Sequence, residues 1–276
     1  MKPEQSLFLL KQQLQSYERI GVAFSGGVDS AVLLKSAAHI LGENNVVAFL
    51  GVSDSLARRE KEIALRIAQD IGVRLVEIET QEMSNPEYLA NNNQRCYFCK
   101  DALFTAISKF DFSGFGVDVV AYGENADDSK KSDRPGQRAA VEFGVIKPLS
   151  SAGLLKQDVR ELAHFFGLSV ADKPATPCLA SRIKPFTQVT KMALTQVEIL
   201  EDFLLELGFT DVRARYLSDS LLIEVPGNEL NKLFSFDVQQ SVTSFGKEKG
   251  LPKIEFSNNP LRSGSFSAQH LESQHV

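Results

Sequence analysis

The 276-residue chain is 43% hydrophobic and carries a net charge of −5 at pH 7, a composition that suits a soluble globular protein folded as one large domain or two modest ones. No apolar run is long enough to span a bilayer, and the opening Met-Lys-Pro-Glu-Gln lacks a signal-peptide apolar region, so a cytoplasmic location without membrane contact is expected. The negative charge and the absence of a dense basic run argue against a large nucleic-acid surface. Three cysteines in such a chain do not make a disulfide framework.

Residues 4–17 read as a short amphipathic helix with Leu7, Leu10 and Leu14 on its apolar face. Ile20 to Phe24 is a short apolar run and is expected as a buried strand. Ser25-Gly-Gly-Val-Asp-Ser30 follows at once, and then a helical pattern made by Ala31, Val32, Leu34, Ala37, Ala38 and Leu41. This order puts a glycine-rich turn between the carboxyl end of a strand and the amino end of a helix. Unpaired N–H groups and the positive end of the helix dipole then face any guest, and a phosphate is the expected one. Gly26 and Gly27 let backbone approach closely, while Ser25 and Ser30 add hydroxyl donors. Asp29 cannot donate to phosphate, so its carboxylate points to a magnesium ion or to orientation of the loop. The motif is neither a Walker loop nor the dinucleotide-binding fingerprint.

Val46–Val52 is expected as a second strand, with Ser53-Asp-Ser55 capping the next helix. Ile63, Ile67 and Ile71 mark that helix, and Gly72 ends it. Val73–Ile78 and Val117–Tyr122 supply two more strands, the last ended by Gly123. Strands alternating with helices imply a parallel sheet wrapped on both faces, with ligands outside the carboxyl ends of the strands. The long polar loop 123–136 is therefore placed as a wall of the site. Val159–Phe166 forms another amphipathic helix, with Lys156-Gln-Asp158 at its start. Residues 172–188 contain three prolines and are expected as a non-helical crossing out of the nucleotide domain. Beyond it come a long helix from Thr190 to Gly208 (Met192, Val197, Leu200, Leu204, Leu207), a hairpin of Val212–Tyr216 with Leu221–Val225, a helix from about Glu229 and a last strand near Ile254. The expected division is a nucleotide domain over 1–186, a small α+β domain over 187–262 and a polar tail over 263–276.

Cys96 and Cys99 are three residues apart ahead of Leu103, Phe104 and Ile107, which places both thiols on one face at a helix start, where the dipole favours thiolates. Cys178 stands between Pro177 and Leu179. A lone Cys-x-x-Cys is compatible with a redox pair, half a zinc site or two buried residues. The histidines, His39, His164, His270 and His275, are distant in sequence from the cysteines, which leaves zinc open. A four-iron cluster needs only three thiolates.

The Ser-Gly-Gly-x-Asp-Ser loop resembles that of the PP-loop ATP pyrophosphatases, the adenine nucleotide alpha-hydrolase-like fold, whose members cleave ATP between its α and β phosphates and transfer AMP. Together with Cys-x-x-Cys, Pro177-Cys-Leu-Ala-Ser-Arg182, Arg134-Pro-Gly136, Arg213-x-Arg215 and Leu261-Arg-Ser-Gly264, it resembles the LarE family over nearly the whole chain. That resemblance implies an α/β PP-loop domain with a smaller C-terminal α+β domain. It implies ATP and Mg²⁺ use, with Ser25, Gly26, Gly27, Asp29, Ser30 and Gly123 at the nucleotide. The implied reaction adenylates a carboxylate of pyridinium-3,5-dicarboxylate mononucleotide and converts it to a thiocarboxylic acid, toward a nickel-pincer cofactor. It implies a [4Fe-4S] cluster on Cys96, Cys99 and Cys178, in contrast to relatives with a single sacrificial cysteine at the place of Cys178. Ser181 and Arg182 are expected to position substrate beside Cys178, and Arg213, Arg215 and Arg262 to hold its phosphate. Glu201 on the long helix is expected to be solvent-exposed. A homo-oligomer, with a sulfur donor or a nickel-insertion protein as partner, is also implied.

Two other readings compete: a tRNA 2-thiolation enzyme combining a PP-loop with a three-cysteine cluster, and a non-catalytic adenine-nucleotide-binding module. The first lacks a visible RNA-binding domain or basic run. The second has no need of Asp29 together with three cysteines.

Overall fold

The computed structural model describes residues 1–111, 116–129 and 135–262. Arg134, the Ser263-Gly264 pair and the whole 263–276 tail, with His270 and His275, lie outside them. The described residues form two compact units: one within Met1–Asn85 and Gln94–Thr176, the other Pro86–Asn93 with residues 177–262. The division falls ten residues before the one expected from composition, and a short Pro86–Asn93 excursion groups with the second unit.

In chain order the helices and strands are α1 Pro3–Leu14, β1 Ile20–Ala23, α2 Val28–Leu41, β2 Val46–Val52, α3 Arg58–Ile71, β3 Arg74–Glu79, α4 Pro86–Leu89, α5 Arg95–Ser108, β4 Val119–Tyr122, α6 Ala126–Ser129, α7 Pro135–Glu142, α8 Pro148–Ser151, α9 Lys156–Phe165, α10 Lys191–Glu206, β5 Arg213–Tyr216, β6 Ser220–Glu224, α11 Leu230–Leu233, α12 Phe236–Glu248 and β7 Lys253–Phe256.

In the first unit the four strands form an all-parallel sheet in the order β3-β2-β1-β4. Successive side chains of β2 leave opposite faces. Val46, Ala48 and Leu50 join a cluster with residues of α1, α2, α3 and α9, whereas Val47 and Phe49 join Phe104, Ile107, Ala139 and Ala140 of α5 and α7. The near-continuous apolar run of β2 is thus what a strand covered on both faces requires.

Glycines fix two tight points. Gly72 ends α3 in the left-handed region (φ 84°), as the sequence predicted. Gly26 has φ 73°, and a Cβ there would stand 2.9 Å from the Ala64 Cβ of α3. The expected cap of α3 at Ser53–Ser55 is not used. The helix starts at Arg58 with Ala57 at the N-cap position, because Ser53 instead accepts the Ser55 N–H at 3.2 Å and donates its hydroxyl to the buried Glu82. Short polar side chains satisfy such local turns as readily as helix ends.

In the second unit β5 and β6 form the expected antiparallel hairpin, and β7 adds to β6 in parallel, giving a mixed three-stranded sheet. Thr190 caps α10 by accepting the Ala193 N–H. The crossing expected to be non-helical contains one 3₁₀ turn, Leu179–Arg182. The helix expected from Glu229 is two helices, α11 and α12. Met192 is exposed rather than part of the core.

Glu201 is the clearest departure from expectation: it is 0% exposed. Its two oxygens accept from Arg182 Nε at 2.9 Å and Nη2 at 3.1 Å, and Oε1 also accepts the Ala214 N–H at 3.1 Å. A charge can be buried in this way only when it is paired and its remaining lone pairs are used.

Two stability measurements follow. Replacement Glu201→Ala leaves a buried guanidinium without its counter-ion and is expected to cost about 3–5 kcal/mol in denaturant unfolding; a loss below about 1 kcal/mol would show the pair to be dispensable. Gly26→Ala puts a Cβ into left-handed backbone against Ala64 and should destabilise by at least about 1–2 kcal/mol, read as a lowered unfolding midpoint.

Candidate functional site

In the first unit the loop from Ser25 to Ser30 leaves the carboxyl end of β1 and turns into α2. Phe24 N–H donates to Phe49 O at 2.8 Å, which holds the start of the loop to the sheet. The loop closes on its serines: the hydroxyls of Ser25 and Ser30 are 3.2 Å apart, Ser30 Oγ accepts the Ser25 N–H at 3.3 Å, and it donates to Gly27 O at 3.0 Å. Gly27 is the N-cap of α2 and brings no capping side chain. The first-turn N–H groups therefore lack the side-chain oxygen that usually covers them, the arrangement in which helix starts bind anions.

Gly123, at the end of β4, lies against this turn. A Cβ there would be 2.7 Å from Ser30 N and 2.8 Å from Asp29 C. Only glycine allows the two backbones to come this close.

Asp29, in the first turn of α2, is the meeting point of two donors. Asn125 Nδ2 reaches Oδ1 at 3.1 Å, and the Lys156 ammonium pairs with Oδ2. The Asp29 side chain keeps 21% exposure and Lys156 35%, so both remain open to solvent. The sequence marked Asp29 but missed Asn125 and Lys156. Asn125 stands in the polar loop 123–136 and Lys156 near a helix start, and neither carries a local signal of its partner. Asn125 also accepts the Asp128 N–H at 3.0 Å, and Asp127 accepts the Lys156 N–H at 2.8 Å, so the start of α6 and the start of α9 are tied together beside Asp29.

Cys96 and Cys99 occupy the first turns of α5, as expected, with Cys96 exposed and Cys99 half-buried. Arg138 of α7 lies over the neighbouring Tyr97 ring at 3.9 Å, and the Tyr97 hydroxyl donates to Glu142 at 2.7 Å. That hydrogen bond to a carboxylate raises the pKa of Tyr97.

In the second unit Cys178 is exposed and immediately precedes the 3₁₀ turn. Arg182 organises that turn from within. It is 1% exposed, and besides its pairing with Glu201 it donates from Nη1 to Pro177 O, to Cys178 O at 3.2 Å and to Ser181 Oγ at 3.1 Å. Ser181 Oγ in turn donates to Cys178 O at 2.7 Å. Arg182 thus holds the backbone that presents the Cys178 thiol.

Arg213 and Arg215 are each 6% exposed. Arg213 pairs with Asp211 and donates to Val212 O at 2.8 Å; Arg215 donates to Glu224 at 2.8 Å and to Ser181 O at 3.4 Å. Burial, and then the positive charge of Arg182, lower the pKa of Arg213. Three guanidinium groups therefore lie near the turn that bears Cys178, each paired with a carboxylate: Glu201, Asp211 and Glu224. Arg262 is exposed and is the last described residue.

All three thiols stand outside disulfides. Among the described residues, no three His, Cys, Asp or Glu side chains are grouped so as to hold a metal ion. No helix among them is long and apolar enough to cross a membrane.

A family model described as asparagine synthase matches residues 10–105, the stretch that contains the glycine-rich loop and both members of Cys-x-x-Cys. Over most of its length the chain is similar to three proteins. It is 38% identical to the uncharacterized protein slr1717 of Synechocystis sp. (strain PCC 6803), over 83% of this chain and 84% of that one. It is 30% identical to the pyridinium-3,5-bisthiocarboxylic acid mononucleotide synthase of Lactiplantibacillus plantarum, over 84% of each. It is 24% identical to the uncharacterized protein MJ0830 of Methanocaldococcus jannaschii, over 89% of this chain and 91% of that one. With that identity sustained across both compact units, and with a glycine-rich loop that leaves the helix start open for phosphate, the chain belongs to the PP-loop ATP pyrophosphatase superfamily and to the family that includes slr1717 and the Lactiplantibacillus synthase.

Proposed function

We infer that the protein is an ATP-dependent sulfur-inserting enzyme of the LarE type, acting on pyridinium-3,5-dicarboxylate mononucleotide. The similarity to the Lactiplantibacillus synthase, which extends through the segments bearing Cys178, Arg213 and Arg215, carries this reading. The chemistry of the two units supports it.

A carboxylate is a poor electrophile toward sulfur. Adenylation removes that difficulty. A carboxylate oxygen of the substrate attacks the α-phosphorus of ATP, the α–β phosphoanhydride breaks, and pyrophosphate leaves with the bonding pair. A sulfur nucleophile then forms the C–S bond, and AMP leaves to give the thiocarboxylic acid. The uncapped start of α2 and the hydroxyls of Ser25 and Ser30 suit the binding of the departing phosphates. Asp29 suits Mg²⁺ in kind, because that ion keeps most of its shell as water and phosphate oxygen and needs one or two carboxylates. Lys156, paired with Asp29, is a partly exposed ammonium beside the same turn and suits charge developing on phosphate oxygens. Arg213 and Arg215 are the guanidinium groups we assign to the phosphate of the substrate, which would have to compete with their Asp211 and Glu224 partners; the charge of Arg182 is balanced by Glu201.

For the sulfur source, the donors fit a [4Fe-4S] cluster in kind: Cys96, Cys99 and Cys178 are thiols outside disulfides, two exposed and one half-buried. Such a cluster, when bound, supplies a soft sulfur nucleophile that leaves the protein intact. The Cys178 thiol, held outward by Arg182 and Ser181, is the other candidate source.

Two experiments test this. Asp29→Asn is expected to lower pyrophosphate release from Mg·ATP in the presence of the dicarboxylate nucleotide by about 10²-fold, with the far-ultraviolet circular dichroism unchanged; a rate within twofold of the unaltered chain would remove Asp29 from the site. Protein purified without oxygen is expected to contain about four irons per chain and to lose them in each of Cys96→Ala, Cys99→Ala and Cys178→Ala. Iron-free protein that sheds the mass of hydrogen sulfide from Cys178 on turnover would instead establish a sacrificial cysteine and leave Cys96 and Cys99 outside the chemistry.

A further inference from the structure

Glu124 is a buried carboxylate that the reaction above does not use. It is 5% exposed and follows directly on Gly123, the residue pressed against the backbone of Asp29 and Ser30. It directly precedes Asn125, which bonds the Asp29 carboxylate. The three residues form a strap across the start of α2, and Glu124 is its anchor.

The anchor is completely furnished with donors. Tyr122 donates its hydroxyl to Oε2, while Ser129 Oγ at 2.5 Å and Lys147 Nζ at 3.1 Å donate to Oε1. Ser129 Oγ also meets Ser150 Oγ at 2.6 Å. Burial by itself raises the pKa of such a group. Here the hydrogen bonds from Ser129, Tyr122 and Lys147, with the Lys147 charge, outweigh it, and the pKa of Glu124 falls below its ordinary value. A surface glutamate whose only task is solubility does not collect three donors from β4, α6 and the segment before α8.

The network also reaches Asp29 from the other side. Lys147 is the N-cap of α8 and Ser150 lies within it. The chain continues from there to Leu154, whose carbonyl accepts the Ala126 N–H at 2.8 Å, and then to Lys156, which pairs with Asp29. Both donors that hold Asp29 are thus carried on segments that Glu124 joins.

We propose that Glu124 is a positioning residue of the nucleotide site: it fixes the strap 123–125 and the segment 147–156 so that Asn125 and Lys156 together set the Asp29 carboxylate for Mg·ATP. It touches neither the nucleotide nor the reacting atoms and acts through Asn125 and Lys156. The proposal rests on the reading of the first unit as a Mg·ATP site.

The test is a double-mutant cycle on the full chain, read in two quantities: the dissociation constant for Mg·ATP and the rate of pyrophosphate release. Glu124→Ala and Asn125→Ala are each expected to weaken Mg·ATP binding or turnover by about tenfold, and the double variant by little more than either alone, because residues acting as one unit are not additive. Glu124→Gln, which keeps an acceptor and the shape of the side chain, should recover part of the loss. Thermal unfolding of each variant accompanies the measurements. Effects that multiply independently, or a Glu124→Ala chain within twofold of the parent in both quantities, would overturn the proposal. A chain that binds Mg·ATP but releases no pyrophosphate would refute the enzymatic reading alone, since the cycle in the dissociation constant still decides the positioning role. A parent chain that binds no Mg·ATP overturns both.

Discussion

The close approach of Gly123 to the backbone of Asp29 and Ser30 is the constraint on which the turn at the start of α2 depends. Two parallel strands, β1 and β4, deliver their carboxyl ends side by side. The absence of a Cβ at Gly123 then lets the end of β4 lie directly on the first turn of α2. Because that contact is backbone against backbone, everything attached to it is placed with little slack: Asp29 on one side, and Glu124 and Asn125 on the other. The serine hydroxyls that close the loop on itself leave the helix-start N–H groups as the open donors of the turn. A parallel sheet with one face of α2 buried is therefore more than a scaffold. It converts a strand register into the separation between a carboxylate and its two donors.

The second unit solves a different problem with the same economy. Cys178 is exposed, yet exposed turns are mobile by default. Here the turn that bears Cys178 is tied from the inside by one guanidinium, which donates to three oxygens of residues 177–181 while its other edge is fixed by Glu201 on α10. The buried ion pair is costly to form. Its geometric effect is to make a turn with no regular hydrogen-bond ladder as well determined as the helix behind it. The Ala214 N–H adds β5 to the same carboxylate, so the strand that carries Arg213 and Arg215 and the turn that carries Cys178 are referred to one group.

Much of this was legible from residue patterns. The glycine-rich loop between an apolar run and a helical pattern located the turn from β1 into α2, because short-range backbone demands, left-handed glycine and uncapped helix starts, leave local marks. The strands β1, β2 and β4 are legible as apolar runs, whereas β3, at the edge of the sheet, carries the exposed Arg74, Glu77 and Glu79. The hairpin β5–β6 was found from alternation. What failed were readings that treated polarity as exposure. Glu201 reads as a solvated helix carboxylate in any single-helix view. Its burial follows only from Arg182, nineteen residues earlier in sequence, being turned inward beneath the helix. Ser53 and Ser55 read as a helix cap, but the competing acceptor, Glu82, stands twenty-nine residues beyond Ser53 and exerts no local signal.

By itself the sequence determined the fold class, the strand–loop–helix turn that follows β1, the placement of Cys96 and Cys99 at a helix start, and the kinship of the chain, because each of these depends on periodicity or on residues contiguous in the chain. Only the tertiary structure decided which polar side chains act together. Asn125 and Lys156 meet at Asp29, Tyr122 and Lys147 meet at Glu124, and Arg182 meets Glu201. Such pairs are chosen by the cost of leaving a buried charge or donor unmatched, and that cost arises only once the core has excluded water from around them.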